Sequence, residues 1–133
     1  MVFYMEKNDV NQSFTMDYDY DYQNDSLFLH ITDDYHYKRS LRLDEDIIID
    51  FDVDNVPVAM EILHASKRFN TPRLSLRNPI GLNMHIEIGD DSIHIKAAFE
   101  INIRNKFIPL ELKAEGENSI NLPSQATHFA AVA

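Results

Sequence analysis

Apolar residues recur at every second position through most of this chain, which is the period of a β-strand. Tyr18, Tyr20 and Tyr22 alternate with Asp17, Asp19 and Asp21, so the first clear strand has an aromatic face and an acidic face. Gln23-Asn24-Asp25-Ser26 is a turn signal. A second strand follows over 27–32, with Leu27, Leu29 and Ile31 on one side. A loop at 33–36 leads to a third strand over 38–43, and Asp44-Glu45-Asp46 turns into a fourth over 47–53. There Ile47, Ile49, Phe51 and Val53 point one way and Ile48, Asp50 and Asp52 the other. The chain reverses at Asp54-Asn55, and Val58, Met60 and Ile62 continue the apolar face on a fifth strand. The strand period then fails. Ala65, Lys67 and Arg68 favour a short helix at about 63–68, ended by Asn70-Thr71-Pro72.

The second half repeats the strand logic. Leu82, Met84, Ile86 and Ile88 alternate with Asn83, His85 and Glu87, and Gly89-Asp90-Asp91 reads as a hairpin turn. A long strand carries Ile93, Ile95, Ala97, Phe99, Ile101 and Ile103 on its apolar face, then turns at Arg104-Asn105-Lys106. Residues 107–114 form another strand, and Pro109 places it at a sheet edge or bulge. Residues 115–125 are polar and loop-like, and 128–133 are a final strand or a fraying tail. Residues 1–15 carry no clear pattern. The expected fold is α+β and mostly antiparallel β. Two β-meanders, over 16–68 and 71–133, flank one short helix and pack as a sandwich or roll. Their shared core is expected to hold Ile47, Ile49, Phe51, Met60, Ile62, Ile86, Ile88, Ile95 and Phe99.

Composition narrows the class. The 133 residues are 44% hydrophobic, enough for a buried core. No window approaches the roughly 18 apolar residues that span a bilayer, and the start is too quickly charged for a signal peptide. Cysteine is absent, which removes disulfides, thiolate metal sites and cysteine nucleophiles. A cytoplasmic protein is expected, without a membrane partner. The net charge of −10 is uneven. Residues 1–66 carry 15 acids against 4 bases, and residues 67–133 carry 7 acids against 8 bases. An acidic first half repels phosphate backbones, so nucleic acid is not an expected partner. The acids either solvate a surface or attract a basic protein or a divalent cation.

Tyr20-Asp21, Asp25-Ser26-Leu27-Phe28-Leu29, Ile47-Ile48-Ile49-Asp50-Phe51-Asp52 and Glu61-Ile62-Leu63-His64-Ala65-Ser66-Lys67 together resemble a small prokaryotic family, domain of unknown function 2283. The resemblance covers about residues 16–68. It departs at Tyr22, where the family usually has Pro, at Asn55 and Ala59, where Gly is common, and at Pro57 in a strand position. Asn tolerates a left-handed backbone, so the turn survives. The resemblance implies a β-rich fold with a terminal helix and no established activity.

Three constellations bear on chemistry. Asp50, Asp52, Asp54 and Glu61 stand at the ligand positions of a calcium loop, with Asn55 where that loop has Gly. The flanks alternate with period two, so the favoured reading is a hairpin with its acids splayed. A looser cation site on Asp50, Asp52 and Asp54 is the alternative. His85, Glu87 and His94 form the second set. A two-residue turn at Asp90-Asp91 sets Glu87 opposite His94, with His85 diagonal to them. Two imidazoles and a carboxylate suit a transition metal, and a solvent-facing strand is the plainer reading. The tyrosines form the third set. They lack interleaved basic residues, so packing is favoured over base stacking.

No nucleophile elbow, phosphate loop or dinucleotide fingerprint occurs, and His64 and Ser66 diverge on a short helix. No cofactor is expected. The leading expectation is a non-catalytic binding or interaction module, with a basic protein partner. A divalent-cation binder and a small hydrolase-like enzyme are the alternatives. Long apolar-faced strands with open edges also suggest a homo-oligomer, a dimer first.

Overall fold

The computed structural model describes residues 11–132. The first ten residues, part of the segment without a clear pattern, lie outside the described residues. The strands are β1 (Asn11–Asp21), β2 (Ser26–Ile31), β3 (Tyr37–Arg42), β4 (Ile47–Asp52), β5 (Pro57–Ile62), β6 (Gly81–Ile88), β7 (Ser92–Ile103), β8 (Lys106–Glu117) and β9 (Gln125–Val132). One turn of helix, α1 (Ala65–Arg68), and a 3-10 turn (Arg73–Leu76) join the two halves. The protein is therefore mostly β, with less helix than an α+β class implies.

The two meanders do not stack as separate sheets. They belong to one nine-stranded sheet in the order β3-β4-β5-β2-β1-β9-β6-β7-β8. β1 makes the join. Its first half, Asn11 to Thr15, pairs in parallel with Ala126 to Ala130 of β9, and its second half, Met16 to Asp21, pairs antiparallel with β2. The two segments that carried the weakest sequence pattern thus meet at the middle of the sheet. Every other pairing is antiparallel.

The sheet curls into a roll. At one end its two edges touch: a Cβ on Gly116 of β8 would lie 2.6 Å from the Leu43 side chain and 2.7 Å from the Leu43 carbonyl, just after β3. Only glycine leaves room for that contact. All nine expected core residues are at most 2% exposed and belong to one buried cluster drawn from both halves. Phe69, just after α1, stacks on Phe99 of β7 with ring centroids 4.9 Å apart.

The turns follow their residues. Asn55 has φ 61° and Asn105 φ 65°, the left-handed region that asparagine tolerates. Pro57 opens β5 where the β4–β5 register shifts, and Pro109 lies in edge strand β8, so neither proline interrupts a regular interior ladder. The polar segment expected as loop from 115 is strand as far as Glu117. Among the described residues no helix is long and apolar enough to cross a membrane.

Candidate functional site

The acidic loop is a hairpin turn. The Asp52 carboxylate accepts the backbone N–H groups of Asp54 (2.9 Å) and Val56 (3.0 Å), and the Asp52 N–H donates to the Val56 carbonyl. One oxygen of Asp52 therefore organises the reversal, as Asx side chains do in turns. Asp50 accepts the Ser40 hydroxyl at 2.6 Å, and Glu61, on β5, accepts the Ser26 hydroxyl at 2.9 Å. Asn55 is held from two sides: Arg39 donates to its amide oxygen (2.9 Å) and Gln125 to its carbonyl (2.8 Å).

A second group of carboxylates fastens α1. Asp25 sits at φ 53° and is 3% exposed. Its carboxylate accepts the Tyr20 hydroxyl (2.6 Å), the Ser66 hydroxyl (2.7 Å) and the Ser66 N–H (3.0 Å), with Arg73 Nε at 3.9 Å. Burial alone would raise its pKa, but the Tyr20 and Ser66 hydrogen bonds, with help from Arg73, hold it below the usual carboxylate range. Burial, together with the bond to the Asp25 anion, pushes the Tyr20 phenol well up. Next to it, His64 Nδ1 lies 2.9 Å from Asp46, and Arg68 donates to Asp44 at 3.0 Å. The bond to His64 lowers the Asp46 pKa against the opposing effect of burial, and Arg68 adds to the lowering. His64 and Ser66 therefore serve different carboxylates and form no dyad.

Tyr18 and Tyr20 pack against the core, whereas Tyr22 is 44% exposed and lies under the Arg77 guanidinium at 5.2 Å. The opposite, outer face of this half is organised in two transverse rows. One runs Asp19, Phe28, Glu61, Ile48 and Arg42, and the other Asp17, His30, Ala59, Asp50 and Ser40. Phe28, His30 and Ile48 are half-buried, and Phe28 and His30 stack at 5.2 Å. Asp17 and Asp19 border this patch on the β1 side, Glu61 lies between Phe28 and Ile48, and Ser40 and Arg42 close it on the β3 side.

The second half places its polar residues differently. Glu87 faces His94 across the β6–β7 hairpin, as the two-residue turn requires. His85 faces Lys96 on one side and His128 of β9 on the other. His94 bonds Ser92 at 3.2 Å and lies 3.9 Å from Glu115. Among the described residues no three His, Asp or Glu side chains gather closely enough to hold a metal ion, so neither His85, Glu87 and His94 nor Asp50, Asp52 and Asp54 form a closed ligand set. Instead His128, His85, Lys96 and Lys113 lie side by side on four successive strands. They line an open groove of about 380 Å³ with Asn83, Ala98 and Glu111. Sequence reading missed this row because β9 had no assigned partner. It missed the Tyr20–Asp25–Ser66 cluster because its members are spread over 46 positions of the chain.

Residues 17–66 match the family described as "Protein of unknown function (DUF2283)". A Methanosarcina mazei protein named "Putative hypoxanthine phosphoribosyltransferase" is 40% identical over 112 residues, covering 84% of this chain and 89% of its own length. An uncharacterized protein of Methanocaldococcus jannaschii is 38% identical over 105 residues, covering 78% of this chain and 89% of its own length. No solved structure matches. The Tyr20–Asp25–Ser66 cluster and the Asp52-organised turn both lie within the matched span, and the chain belongs to this family of unknown function, DUF2283.

Proposed function

We propose that this protein is a non-catalytic binding module that docks a basic protein segment on the outer face of β1, β2, β5 and β4. The observation that supports this reading is the anatomy of that face: half-buried Phe28, Ile48 and His30 beside Ala59, interspersed with Glu61 and Asp50 and bordered on the β1 side by Asp17 and Asp19. Apolar side chains beside charges of one sign suit a protein interface, and the acids of β1, β5 and β4 favour a basic partner. Asp17 and Asp19 are exposed, and neither forms an ion pair among the described residues.

The other readings draw less from the geometry. Asp25, Asp46 and Asp52 are taken up by internal hydrogen bonds, which leaves them poorly placed as cation ligands or catalytic groups. Phosphoribosyl transfer, the activity in the name of the M. mazei relative, needs a cleft that clamps a phosphorylated sugar, commonly at a glycine-rich loop and a helix N-terminus. Here the helical turns are four residues each, and the glycines lie in β6, in the β6–β7 turn and in β8.

The test is a titration with a Lys- and Arg-rich peptide carrying leucine anchors. Binding is expected to weaken with salt and to fall at least tenfold in Asp17→Lys/Asp19→Lys, with the circular dichroism spectrum unchanged. Equal binding by that variant overturns the proposal. Self-association has its own support. β8 pairs on one side only, and Phe107 on it is 70% exposed. Sedimentation of Phe107→Lys is expected to show fewer dimers than the parent chain, and an unchanged distribution removes the β8 edge from consideration.

A further inference from the structure

We infer that the outer face of β9, β6, β7 and β8 is a binding groove for a small phosphate-type anion, contacted by Lys96, Lys113, His85 and His128. His128 pairs with His85, His85 with Lys96, and Lys96 with Lys113, so four nitrogen-bearing side chains cross the sheet in one line. Neighbouring strands are about 4.8 Å apart, so the line spans roughly 15 Å. All four residues are exposed.

Such a row is costly to keep. Like charges directly opposite each other on a sheet destabilise it. Lys96 and Lys113 are direct partners, and neither reaches a carboxylate as an ion pair among the described residues. The whole chain carries −10. An acidic protein here aligns two lysines, with two imidazoles beside them, on one face of the sheet. The groove lining holds two lysines and one glutamate, so it stays net positive even with both imidazoles neutral. The remaining charges near the line are Glu87 and His94, two residues along β6 and β7, with Glu115 on β8.

Shape agrees with charge. Ala98 lies beside Lys96 on the outer face, between Asn83 and Glu111 of the flanking strands, and its methyl leaves a depression. The volume of about 380 Å³ fits a small molecule rather than a protein segment. The donors are ammonium groups and ring N–H groups, and the lining contains no arginine. Lysine binds phosphate as a compact point charge, so an arginine fork is not required for a tetrahedral anion. This site is separate from the acidic face of the first half, so either proposal can fail alone.

The experiment is an amide chemical-shift titration at low ionic strength and neutral pH, with inorganic phosphate as the probe and succinate as the comparison. Phosphate is expected to shift the amides around His85, Lys96, Ala98, Lys113 and His128 saturably, more tightly than succinate. Lys96→Gln/Lys113→Gln is expected to weaken the affinity at least tenfold, and His128→Gln severalfold, with the remaining spectrum preserved. Three results overturn the inference: undiminished affinity in the double variant, shifts spread equally around Lys67, Arg73 and Lys106, or succinate binding as tightly as phosphate.

Discussion

The two halves of the sheet use their charged residues in opposite ways. In β1 to β5 and α1 three carboxylates are bonded within the fold, Asp25 to Tyr20 and Ser66, Asp46 to His64 and Arg68, and Asp52 to the backbone of its own turn, while Asp17 and Asp19 stand exposed on the outer face. In β6 to β9 the charged side chains stand on the outer face, and Lys96 and Lys113 have no ion-pair partner among the described residues. A charge that closes a turn or fastens a helix contributes to stability. A charge left in a like-signed row detracts from it, and is understandable where a ligand supplies the counter-charge. The lesson is that acidity alone did not locate function here, because several of the most distinctive acids hold the fold together.

The largest test of this contrast is Asp25→Ala. It leaves the Tyr20 hydroxyl and two Ser66 donors without their acceptor and puts alanine at φ 53°. A loss of about 3 kcal/mol in urea unfolding is expected from breaking a buried charged network. Gly116→Ala comes next. The Leu43 carbonyl at 2.7 Å cannot swing aside as a side chain could, so the closure of the sheet edges must open. About 2 kcal/mol is the expected loss, typical of overpacking. Asp52→Ala removes the acceptor for two turn N–H groups and is expected to cost about 1 kcal/mol.

Acid sharpens the same comparison. Asp25 and Asp46 both titrate below the usual carboxylate range when folded. The unfolded chain therefore binds their protons first as pH falls, and their stabilisation is complete only above the ordinary value of about 3.9. Urea midpoints are expected to be flat near neutrality and to drop as pH falls through the lowered folded values. Asp25→Asn is expected to flatten that drop. The smallest effect belongs to the second half. Lys96→Gln/Lys113→Gln is expected to leave the urea midpoint unchanged or slightly raised, since it removes a repulsive pair. A clear loss of stability there would erase the contrast between the halves.

Strand period, turn residues and apolar faces are local properties, and they were legible in the chain. The alternation of Ile47, Ile49 and Phe51, the reversal at Asn55 and the Glu87–His94 register all follow from spacing two and from residues that accept a left-handed backbone. What no spacing contains is which distant strands become neighbours. The parallel pairing of β1 with β9 joins the two meanders, and the antiparallel pairing of β9 with β6 sets His128 beside His85 and so completes the cationic row. Likewise Asp25, Tyr20 and Ser66 meet only when α1 docks onto the first hairpin. Side-chain alternation is set by neighbouring residues along the backbone. The meeting of remote segments is decided by burial of the shared core, and the cationic row and the Tyr20–Asp25–Ser66 cluster lie where those segments meet.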